Sequence, residues 1–164
     1  MFPSLSLNLS GETATLALGA ALSRALTPGQ VIYLEGDLGS GKTTLVRGVL
    51  RGLGHAGNVK SPTFTLVELY VISSLTVHHF DFYRFNQPEE YLDAGLDEYF
   101  QGEAICFVEW PDKAGAYLAP ADMRISLALA GEGRQIVFSP LTEAGQACLN
   151  RLRLCLPAST AAPS

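Results

Sequence analysis

The sequence predicts an α/β fold, with a mixed, mostly parallel sheet flanked by helices. Three observations predict it. Short apolar runs suited to buried strands recur at Val31 to Leu34, Val77 to Phe82 and Ala104 to Glu109. Helical spacing of apolar residues separates them. A Gly-rich loop follows the first of these runs and leads into a helix.

The elements follow in order. Leu5, Leu7 and Leu9 alternate with Ser6 and Asn8, which reads as an opening strand with one buried face. Ser10 is a suitable N-cap for a helix over Gly11 to Ala25, with Glu12 in its first turn and Leu18, Leu22 and Ala25 at helical spacing. Thr27-Pro28-Gly29 is a turn. Val31 to Leu34 is a strand buried on both faces, and the helix after the Gly-rich loop runs from Thr43 to Leu53. Gly54 to Pro62 is a loop. Thr63 to Ile72, rich in Thr, Val, Leu and aromatic residues, reads as a strand, and Ser73-Ser74 turns it into Val77 to Phe82. Pro88 opens a short helix that ends near Gly95. Met123 to Ala130 and Gln135 to Phe138 flank Gly131-Glu132-Gly133-Arg134 as a hairpin. Thr142 caps a last helix through Leu154. Residues 1–156 are thus expected to form one domain, with 157–164 a small, polar, disordered tail.

Composition narrows the class. Of 164 residues, 48% are hydrophobic and 16% charged, which suits a folded core rather than a disordered chain. The net charge of −5 and the absence of a basic stripe argue against a protein that grips nucleic acid by its phosphates. Cys106, Cys148 and Cys155 form neither a CxxC pair nor a zinc pattern, and an odd count fits a reducing compartment. The first ten residues lack a basic, then apolar, leader, and no run is long enough to span a bilayer. A cytoplasmic location is the expectation.

The strongest chemical signal is Gly36-Asp37-Leu38-Gly39-Ser40-Gly41-Lys42-Thr43, which fits G-x-x-x-x-G-K-[ST] at every fixed position. Strand before and helix after supply the required context, so the domain reads as P-loop NTPase-like. Glycines let the backbone curl until several N–H groups face one phosphate, and the helix N-terminus adds positive potential there. Lys42 is placed to reach the β- and γ-phosphates, and Thr43 offers a hydroxyl to Mg²⁺. Thr44 continues the loop into the helix. Two acids close strands: Asp81 after Val77 to Phe80, and Glu109 after Ala104 to Val108. Ligands of open α/β sheets bind at such strand ends. His79 and Asp81 are two apart, so they share one face and suit an acid–base or water-orienting pair. Ser61-Pro62-Thr63 places hydroxyls in a loop of restricted freedom, suited to sensing a γ-phosphate.

Four segments in order resemble the bacterial TsaE (YjeE) family of ATPases: the phosphate loop through Thr44, Ser61 to Val67, His79-Phe80-Asp81-Phe82-Tyr83-Arg84, and Val108-Glu109-Trp110-Pro111. The last three, at this spacing, are highly specific. The resemblance implies an ATP-hydrolysing subunit for the threonylcarbamoyladenosine modification of tRNAs that read ANN codons. Its partners would be TsaD-like and TsaB-like proteins, and it would meet tRNA only through that complex. It implies ATP and Mg²⁺ as ligands. Gly39 to Thr43 would hold the phosphates, with Thr43 and Glu109 on Mg²⁺. Lys42, Thr63, His79, Asp81 and Glu109 would form the catalytic centre. Thr15, Trp110 and Arg134 would lie against the nucleotide.

The same loop serves small-molecule kinases, which remain the alternative. Those usually clamp the transferred group with several lid arginines, and none falls between Phe85 and Gln101. A guanine-nucleotide switch is less suited, because Asn58-Val59-Lys60-Ser61 departs from Asn-Lys-x-Asp.

Overall fold

The computed structural model describes residues 2–156. The expected tail, 157–164, lies outside the described residues. β1 (Leu5–Leu9) buries Leu5, Leu7 and Leu9, as the alternation requires. α1 (Glu12–Ser23) begins one residue later than expected: Gly11, not Ser10, is the N-cap, and no side chain caps it. The reason is local. The Gly11 carbonyl accepts both the Thr15 N–H and the Thr15 hydroxyl, so the first helical turn closes on Gly11.

β2 (Val31–Glu35) leads into the Gly-rich loop, and α2 (Lys42–Leu53) starts at its lysine. β3 (Val67–Ile72) is shorter than expected. Thr63 to Leu66 form a turn instead, closed by the Leu66 N–H on the Pro62 carbonyl, with Leu66 at φ 71°. β4 (Leu75–Asp81), α3 (Glu89–Asp93) and β5 (Ile105–Glu109) follow. Two 3₁₀ segments, Leu96–Phe100 and Pro111–Tyr117, stand where no element was expected. β6 (Met123–Ala130) and β7 (Gly133–Pro140) make the hairpin. Thr142 caps α4 (Glu143–Cys155), its hydroxyl accepting from the Gly145 N–H at 3.1 Å.

The seven strands form one sheet in the order β1-β7-β6-β2-β5-β4-β3. β6, β2, β5 and β4 are its parallel core. β3 at one edge, and β7 and β1 at the other, run antiparallel to their neighbours. One face packs Ile32, Leu34, Ile105 and Phe107 against α1, α2 and α4. The other packs Phe80, Phe82, Cys106 and Val108 against α3 and the 3₁₀ segments.

Helices α1 and α2 meet backbone to backbone. A Cβ on Gly48 would stand 2.4 Å from the Leu16 carbonyl oxygen, so no larger residue fits without moving a helix. This contact brings the first turn of α1 beside the first turn of α2. The cysteines are free. Burial pushes the Cys106 thiol up to about 12 and Cys148 up to about 11, as suits small hydrophobes. Among the described residues no helix is long and apolar enough to cross a membrane.

Candidate functional site

The loop between β2 and α2 bends through Gly36, Gly39 and Gly41, at φ 144°, 78° and 107°. Gly36 cannot be replaced simply, since a Cβ there would stand 2.3 Å from the Leu127 carbonyl oxygen. The first α2 bond that reaches back to the loop runs from the Leu45 N–H to the Gly41 carbonyl at 2.9 Å. The amides of Lys42, Thr43 and Thr44 precede it, as donors at a helix N-terminus. Lys42 is 4% exposed. Its ammonium donates to the Gly36 carbonyl and lies 4.1 Å from the centre of the Trp110 ring. Burial lowers its pKa, while Glu109, Asp81 and Asp37 pull it back up.

The carboxylates come from adjacent strands. Asp81 and Glu109 are register partners at the ends of β4 and β5. Glu109 Oε2 accepts from the Thr43 hydroxyl at 3.0 Å and from His79 Nε2 at 2.6 Å. Asp81 Oδ2 accepts from the Thr63 hydroxyl at 3.2 Å, and Oδ1 from the Tyr83 N–H at 2.9 Å. Burial raises the Asp81 pKa, which the Tyr83 N–H opposes. On the other side of the loop, Arg134 Nε donates to the Ser40 carbonyl at 3.0 Å, tying the β6–β7 hairpin to the loop.

These groups surround one cavity of about 280 Å³. Asp81, Glu109, Thr63 and Ser61 line one end, and Glu12, Thr15 and Arg134 also contribute to its wall. Leu38, Gly39, Gly41, Lys42, Thr43 and Thr44 complete its lining. A buried lysine and a curl of backbone amides facing two acids can bind a phosphate chain and take a proton from water.

The model of the family described as Threonylcarbamoyl adenosine biosynthesis protein TsaE matches residues 9–136. The chain belongs to the TsaE family. It is 46% identical over 116 residues to the tRNA threonylcarbamoyladenosine biosynthesis protein TsaE of Haemophilus influenzae, covering 71% of this chain and 73% of that one. To the protein of the same name from Bacillus subtilis it is 42% identical over 130 residues, covering 78% and 79%. The crystal structure of Bacillus subtilis YdiB superposes with a TM-score of 0.81 at 32% identity, covering 94% of this chain and 97% of that one.

Within this TsaE-family site, most of the residues singled out in the sequence come together. Several stand off the cavity wall. Within the loop, Gly36, Asp37 and Ser40 do not line the cavity; Ser40 is buried and Asp37 exposed. His79 is fully buried and does not line the cavity. The expected pairing of His79 with Asp81 is corrected: His79 bonds Glu109, which stands two positions along β5 from its own register partner Phe107, so the imidazole reaches diagonally across to the neighbouring strand. Trp110 is also behind the wall, its indole under Lys42 and 5.1 Å from the Tyr83 ring. Thr15 lines the cavity but donates its hydroxyl hydrogen to Gly11. Glu12 is a wall residue that no sequence motif marks. It stood out only as a first-turn acid, and its place in the cavity follows from the packing of α1 on α2.

The donor set suits Mg²⁺. Among the described residues no group of three or more His, Cys, Asp and Glu is placed to enclose a metal. Mg²⁺ beside phosphates needs only one or two protein oxygens, and the Thr43 hydroxyl and Glu109 carboxylate offer them. The Gly39 position is open, with nothing within 4 Å of a Cβ there, so a phosphate can approach the backbone.

Proposed function

We propose that this protein binds and hydrolyses ATP with Mg²⁺, as the ATP-using subunit of the machinery that forms threonylcarbamoyladenosine in tRNA. TsaD-like and TsaB-like proteins would be its partners, and tRNA would be met through them. The observation that carries the reading is the convergence of Thr43 and Glu109 beside buried Lys42, at the mouth of the phosphate loop. The names of the relatives support the pathway, and the net charge of −5 supports indirect contact with tRNA.

The chemistry assigns each group a task. The amides of Lys42, Thr43 and Thr44 would bind phosphate oxygens, and Lys42 would turn from the Gly36 carbonyl to neutralise them. Thr43 and Glu109 would hold Mg²⁺, which supplies charge neutralisation on the phosphates when bound. His79 keeps the Glu109 carboxylate oriented. Asp81, whose burial favours proton uptake, would accept the proton of the attacking water. Thr63 orients that carboxylate through its hydroxyl. Water adds across the terminal phosphoanhydride, giving ADP and phosphate.

The test is steady-state ATP hydrolysis by the purified chain, alone and with TsaD-like and TsaB-like proteins from the same cell. Slow turnover that rises with the partners is expected, since an arginine supplied in trans is worth ~10³–10⁵ in P-loop enzymes. Fast turnover that partners leave unchanged would contradict the complex-bound role.

A further inference from the structure

One carboxylate of the cavity wall, Glu12, has no part in the chemistry above. Its position in the fold gives it one. β2 carries the phosphate loop and lies between β5 and β6. Glu109, at the end of β5, and its neighbour Asp81 mark the end where the terminal phosphate belongs. Arg134, from the β6–β7 hairpin, lies on the opposite side of the loop. Thr15 and Arg134 both flank Gly41: a Cβ there would be in ordinary contact with them, 3.9 Å from Thr15 Cγ2 and 3.7 Å from Arg134 Nε. Glu12 precedes Thr15 by one turn of α1. It also reaches to 3.8 Å from Arg47, one turn beyond Thr43 and Thr44 on α2. A phosphate chain with its free end at Glu109 and Lys42 would therefore leave the loop over Thr44, toward Glu12.

A carboxylate there would repel phosphate. Beside a ribose it meets two neutral hydroxyl donors instead, the use an acidic side chain finds in dinucleotide folds. The long ion pair and a side chain 70% exposed leave the Glu12 carboxylate free to turn into the cavity.

We propose that Glu12 accepts a hydrogen bond from a ribose hydroxyl of the bound nucleotide, and so selects ribonucleotides at this site. The proposal rests on the ATP reading above. The amine of adenine is the other donor a nucleoside could present, and the experiment separates the two.

Binding would be measured calorimetrically with Mg²⁺ for ATP, 2′-deoxy-ATP, 3′-deoxy-ATP, GTP and inorganic triphosphate, on the native chain, Glu12→Ala and Glu12→Gln. The native chain is expected to favour ATP over at least one deoxy form by about tenfold. Glu12→Ala should weaken ATP by a similar factor and erase that preference, with Glu12→Gln between the two. Inorganic triphosphate should bind the variants as well as the native chain, or better, which also reports an intact fold. Equal ATP affinity in native chain and Glu12→Ala overturns the proposal and leaves the ATP reading standing. So does a ribose preference that survives in Glu12→Ala while the preference over GTP collapses, which would move Glu12 to the base. A native chain that binds triphosphate but discriminates no nucleotide overturns the ATP reading, and this proposal with it.

Discussion

His79 Nε2 lies 2.6 Å from Glu109 Oε2, the same oxygen that accepts the Thr43 hydroxyl at 3.0 Å. One carboxylate oxygen thus links the first turn of α2 to a fully buried imidazole on β4. Glu109→Gln keeps the shape and removes the charge. The variant should fold, lose most of its Mg²⁺ dependence and hydrolyse ATP slowly. Titrating Mg²⁺ in a hydrolysis assay checks this. A wild-type Mg²⁺ profile would transfer the metal to Asp81.

Among the described residues, Lys42→Ala removes the only ammonium in the cavity wall. A charge-assisted contact is worth about 1.5–3 kcal/mol, so affinity should fall ~10–100-fold and hydrolysis further still. Equilibrium binding and single-turnover hydrolysis measure the two losses separately.

Asp81→Asn should raise stability while removing hydrolysis. The folded state raises the Asp81 pKa through burial, so the folded chain holds the proton above the pH where the unfolded chain releases it. The sign follows: Asp81 lowers stability as pH rises from the ordinary carboxylate range through its raised value, and the loss persists at neutral pH. The Asn variant should melt higher than wild type at neutral pH, with the gap closing in acid. Melting temperatures across pH test this, and a lower melting point at pH 7 would contradict it.

Trp110, the only tryptophan, should report nucleotide binding. The Lys42 ammonium rests over its ring, and phosphates would draw that charge away. Emission should change most with Mg-ATP, less with ATP and chelator, and least with GTP. The Lys42→Ala variant should lose the response even where binding persists.

Much of this fold was legible because its signals are local. Alternating leucines gave β1, and the Gly-Lys-Thr loop gave the β2–α2 junction. The site was legible where a motif names its own chemistry. Other features depend on distant partners. Thr63 lies in a turn rather than a strand, closed by the Leu66 N–H on the Pro62 carbonyl, and there its hydroxyl meets Asp81, eighteen positions on. Strand periodicity put His79 and Asp81 on one face but could not show that β5 supplies the nearer carboxylate. Trp110 adopts a left-handed backbone at φ 56°, so its ring turns back under Lys42 instead of into the cavity. Glu12 enters the wall only because Gly19 and Gly48 let two helices touch.

The central claim is tested most directly by the threonylcarbamoyladenosine content of tRNA in the native cell when Lys42→Ala replaces the natural protein at equal abundance. Nucleoside analysis should show the modified adenosine lost, and restored when wild type returns. Unchanged modification with an inactive phosphate loop would contradict the claim that this protein's use of ATP supports that synthesis.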